Sequence, residues 1–155
     1  MSFRISGLSA DQFSHLYGLS DQELLARSAR RYRVDQSPGF PDRIELRDLE
    51  PGESALLINY IHQPADTPYR ASHAIFVREG AEAARSFVDE IPEVMLQRTL
   101  SLRAFGADHM LLEAALVEGR EVKDAIDHLL GNPAVAYIHA HYAKPGCYAA
   151  RVDRV

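Results

Sequence analysis

Residues 137–152 read YIHAHYAKPGCYAARV, and their reading decides the fold. Ala143-Lys144-Pro145-Gly146 is a turn sequence, with Pro145 and Gly146 suited to the second and third positions of a type II turn. Apolar and aromatic residues flank it, so AVAYIHAHY and CYAARVDRV are expected to close the chain as a β-hairpin. Side chains alternate along a strand, which puts His139 and His141 on one face with Val135 and Tyr137. If the loop is those four residues, Tyr142 lies opposite Cys147 and His141 opposite Tyr148. Cys147 then belongs to the other face from both histidines. A loop one residue longer or shorter would reverse that assignment.

Working outward, RTLSLRAF and HMLLEAALV form a second expected hairpin around Gly106, Ala107 and Asp108. Leu100, Leu102 and Ala104 point one way along it, and Thr99, Ser101 and Arg103 the other. Between the hairpins, residues 120–130 carry Val122, Ala125, Ile126, Leu129 and Leu130 at helical spacing. Gly131 and Pro133 end this helix. Upstream, SALLINYIH reads as a central strand covered on both faces, because apolar residues occupy both of its alternating sets. FRIS, RIELR and HAIFV read as shorter strands. Two S-x-x-[QE] boxes, at Ser9 and Ser20, predict helices at roughly 10–17 and 21–30. GAEAARSFVDE reads as helical and IPEVMLQ as one further helical turn. SPGFPDR and QPADTPYRAS are loops. Hairpin-ordered strands with clustered helices predict one α+β domain over 1–155, a mainly antiparallel sheet with helices packed on it.

The composition excludes several functions. With 46% hydrophobic and 25% charged residues in 155, the chain has an ordinary globular balance. Net charge is −5, which argues against nucleic acid as a partner. No apolar run reaches the ~20 residues of a membrane span. The first residues lack a signal-peptide core, and a single cysteine fits a reducing cytoplasm. P-loop, dinucleotide-fold and hydrolase-elbow motifs are absent, so no cofactor is called for.

Chemistry concentrates in a few polar residues. His-x-His on a strand presents two imidazoles to one metal ion, but a third ligand is required. With Cys147 on the opposite face, the sequence supplies none, and no metal ligand is assigned. A histidine pair hydrogen-bonded in a polar pocket is the plainer reading. Cys147 as a nucleophile would need a base beside it. A second cluster lies in TPYRASH, where Tyr69, Arg70 and His73 precede an apolar strand. His62 ends the central strand, and Arg43 follows SPGFPD.

Three function classes follow. In the first, the chain is a small-anion-binding or enzymatic domain. Arg70, His73, His139 and His141 line its pocket, with Tyr69, Arg43 and His62 nearby; the arginine orients the anion and His139 or His141 transfers a proton. The second is a non-enzymatic interaction domain, for which a second copy of the chain is an admissible partner. The third is a histidine-ligated metal protein.

With these segments in place, the chain resembles a bacterial family catalogued as domain of unknown function 1203. The resemblance rests on PGFPDRIELRDLEPGE, LLINYIHQPADTPYRASHAIFVRE, RTLSLRAF and YIHAHYAKPGCYAARVDR, in order and spacing. It implies a single-domain bacterial protein and carries no activity with it. The family pattern often has cysteine after the second proline of PGFP, where this chain has Asp42. That departure speaks against a two-cysteine redox or metal role.

Overall fold

Nine strands organise the computed structural model, which describes residues 1–155: β1 (Phe3–Ser6), β2 (Arg30–Arg33), β3 (Ser54–Gln63), β4 (Ala71–Arg78), β5 (Ser86–Val88), β6 (Thr99–Gly106), β7 (Leu111–Glu118), β8 (Val135–Tyr142) and β9 (Tyr148–Arg154). Three short helices accompany them: α1 (Asp21–Leu25), α2 (Glu93–Leu96) and α3 (Val122–Leu130). The strands make a six-stranded sheet, in the order β5-β1-β9-β8-β6-β7, and a three-stranded sheet, β2-β3-β4. All pairings between these strands are antiparallel. This is the expected α+β domain, with the antiparallel strands divided between two sheets.

Each sheet has its own core. Val122, Ile126, Leu129 and Leu130 of α3 are fully buried against Leu102, Ile138 and Ala140 on one face of the large sheet. Each such side chain contributes about 1.5–3 kcal/mol when taken from water. The small sheet buries Leu56 and Ile58 of β3 with Ile75 and Val77 of β4. Leu8, Phe13, Leu16 and Leu24 from the N-terminal turns cover them, as does Tyr148 of the large sheet. Tyr148 thus joins the two sheets, and it does so from the strand that follows the Pro145-Gly146 turn. Gly146 has φ 82° there and its N–H donates to Tyr142 O at 2.8 Å.

Several local expectations are corrected. RIELR is not a strand but a turn. The Asp42 carboxylate accepts from Glu45 N at 2.6 Å and Arg78 N at 2.7 Å, and Leu46 takes φ 54°. Its alternation is real yet serves two cores, Ile44 entering one and Leu46 the other. The helix expected over 21–30 keeps its capping box at Ser20 but stops at Leu25. Only Leu24 anchors it, Leu25 being exposed, and Ser28 at φ 56° turns the chain so that residues 30–33 pair with β3. Residues 10–17 form two 3-10 turns instead of a helix. Residues 80–90 are not helical, because Ser86–Val88 complete the free edge of β1. The Asp89 carboxylate secures that edge by accepting from Phe3 N at 2.9 Å. β3 is covered on both faces only near its start; Asn59 and Ile61 are exposed. Gly131 ends α3 without a left-handed conformation, at φ −62°.

Candidate functional site

His139 and His141 lie on β8, which is flanked by β6 and β9. Across one border Arg103 faces His139 and Ser101 faces His141. Across the other, His141 faces Tyr148 and His139 faces Arg151. Ala140 pairs with Ala150, so Ala149 is an extra residue in β9. This bulge brings both Tyr148 and Arg151 to the histidine face.

The small sheet lies over that face. Leu56, Ile58, Tyr60 and His62 share one side of β3 by alternation, and the ladder to β4 shifts between Ile61 and Gln63. His62 arrives over the pair from β8, with ring centroids 4.8 Å from His141 and 6.1 Å from His139. It is stacked on Tyr148 at 5.7 Å with 9° between the planes. One ring nitrogen of each histidine lies within 4.8 Å of one from each of the others. Three imidazoles from two sheets converge at one point.

Their surroundings keep them neutral. His139 and His141 are 4% and 1% exposed. Burial lowers both to about 3 and His62 to about 4, aided by the Arg103 charge. The hydrogen bonds are more informative. His141 Nδ1 donates to Gly146 O at 3.0 Å, which leaves Nε2 with its lone pair. His62 Nδ1 and His139 Nδ1 are buried with no partner. An unsatisfied buried polar atom costs about 1–3 kcal/mol, so a group that binds ring nitrogens would stabilise this cluster.

A cavity of about 230 Å³ opens beside the histidines, bounded by Arg103, Tyr69, Phe105, Gln63 and Leu111. Arg103 has no carboxylate partner. Its Nε donates to Ser101 Oγ at 3.3 Å, and its Nη1 is 3.5 Å from His141 Nε2, too far for a strong bond. Burial pushes its pKa below the usual guanidinium value.

The other sequence candidates are dispersed. Tyr69 reaches the cavity and sits edge-on to Phe105 at 6.0 Å. Arg70 is exposed and donates to Pro64 O, holding its own loop. His73 donates to Ala74 O at 3.1 Å and lines a separate cavity of about 580 Å³. Arg43 and Cys147 line that second cavity too. Arg43 is buried and donates to Tyr148 O at 2.8 Å, Pro41 O at 2.5 Å and Cys147 Sγ at 2.9 Å. It therefore fixes the start of β9, and with it Tyr148 under His62. Sequence reasoning misses Arg103 as a site residue. Its only signal is an arginine on the polar side of an alternating strand, and the strand order that places it beside His139 cannot be read from one sequence.

A family model described as "Protein of unknown function (DUF1203)" matches residues 39–154. That span contains all three histidines, Arg103 and both hairpins. No curated protein and no solved structure matches the chain.

Proposed function

The chain belongs to that family, and we propose that it binds a first-row transition-metal ion, zinc foremost, between His62, His139 and His141. The observations that carry this reading are the two partnerless buried nitrogens, His62 Nδ1 and His139 Nδ1, and a cluster in which one ring nitrogen of each histidine lies within 4.8 Å of one from each of the others. Zinc binds imidazole at about 2.0–2.1 Å, and a tetrahedron of that size has nitrogens roughly 3.3–3.4 Å apart. Reaching that spacing from 4.8 Å takes a contraction of about 1.4 Å, which rotation of the three rings about their side-chain bonds would have to supply. Neutral imidazole is the form that ligates, and burial supplies it. The bond from His141 Nδ1 to Gly146 O is the kind of outer contact that orients a ligating histidine. Imidazole donors suit zinc, copper, iron or nickel.

Cys147 has no part in this centre, since its Sγ meets Arg43 in the other cavity. The broader reading, a histidine- and arginine-lined pocket for a small anion, draws support from Arg103 in place of Arg70, His73 or Arg43. Calorimetric titration of metal-stripped protein with zinc tests the metal reading. One equivalent per chain is expected, reduced to background in both His139→Ala and His62→Ala. Zinc uptake that survives both substitutions contradicts it.

A further inference from the structure

We propose that the fourth coordination position of the three-histidine centre takes a small carboxylate with an apolar substituent, held jointly by the metal and Arg103. This inference rests on the metal reading above and adds the ligand class. Three histidines leave one position of a tetrahedral ion open, as in catalytic rather than structural zinc sites. In this fold the flanking cavity lies on the side of Arg103. Arg103 is half-buried, pairs with no acid, and keeps most of its guanidinium N–H groups uncommitted. A partly desolvated cation without a counter-ion is less stable than a paired one, and a bound anion supplies the partner. Guanidinium presents parallel donors that match the two oxygens of a carboxylate.

The walls select among anions. No acidic side chain lines the cavity; Phe105 and Leu111 are apolar and Tyr69 presents its ring edge-on to Phe105. Such walls accept a hydrocarbon body and would leave the remaining oxygens of a phosphate unpaired. The volume, about 230 Å³, lies below the ~300–1,000 Å³ of most ligand pockets, which limits the acid to a small one.

Cobalt(II) serves as both metal and reporter. The full chain is loaded with cobalt, its stoichiometry measured, and its visible bands followed while benzoate, acetate or inorganic phosphate is added. One cobalt per chain and a saturable benzoate-dependent spectral change are expected. Benzoate should bind more tightly than acetate or phosphate. Arg103→Ala should weaken benzoate at least ten-fold while cobalt remains at one per chain, and Arg103→Lys should fall between. If one cobalt binds but benzoate leaves the bands unchanged, the carboxylate inference fails and the metal reading stands. Equal benzoate affinity in Arg103→Ala, or preference for phosphate, also overturns it. If no cobalt binds, both readings fall together.

Discussion

Arg43 is the residue on which the hairpin's placement turns. It is buried, and its three bonds cap Tyr148 O, Pro41 O and Cys147 Sγ. Replacing it with alanine strips this donor from the buried Tyr148 carbonyl and the half-buried Pro41 carbonyl, a buried unsatisfied group costing about 1–3 kcal/mol. Arg43→Ala should therefore lower unfolding stability by roughly 2–5 kcal/mol in urea denaturation; a loss within experimental error would show that the arginine is not structural. The histidines give a prediction of a different kind. Unfolded imidazoles titrate near 6.5, and in the fold they are held at about 4, 3 and 3. Below 6.5 the unfolded chain takes up protons that the folded chain refuses. Stability of the metal-free protein is thus whole above pH 6.5 and falls as pH drops toward 3, by at most about 1.4 kcal/mol per pH unit for each histidine. Denaturation midpoints measured between pH 7 and pH 4 should show this decline, and His139→Phe should flatten it.

At the scale of elements, what is legible in the sequence depends on how many constraints a segment carries. The β8–β9 hairpin combines alternation with an unambiguous turn, and its loop length places Cys147 away from the histidines. α3 has a full apolar stripe and a clear stop. RIELR and residues 80–90 have only one signal each, and both yield to long-range bonds. Asp42 bends the first, and the vacant edge of β1 captures the second. His139 and His141 are readable as a pair because they share one strand. Their meeting with His62 is not, because His62 lies in another sheet and the crossing is set by Tyr148 and the Ala149 bulge. Deleting Ala149 removes the extra residue that keeps Tyr148 and Arg151 on the histidine face. That variant should fold less stably and lose zinc binding in the same titration. Retained binding at wild-type affinity would mean the bulge has no role in building the centre.

At the scale of the whole molecule, the three ligands come from two sheets, each with its own core. A bound ion would therefore clip the sheets together. A ligand at about 100 times its dissociation constant adds about 2.7 kcal/mol to the folded state, which for a chain of this size is roughly 5–10 °C in melting temperature. Zinc should raise the transition by that order, and a chelator should reverse the rise. Mutating Cys147 to serine should leave the shift intact. No helix is long and apolar enough to cross a membrane.

The central claim is that one ion meets three imidazoles drawn from two sheets. X-ray absorption spectroscopy at the zinc edge of the loaded protein reads those ligands directly. The account predicts nitrogen and oxygen scatterers at about 2.0–2.1 Å, outer-shell scattering from three imidazoles, and no sulfur near 2.3 Å. A sulfur shell, or fewer than three imidazoles on the ion, would contradict it.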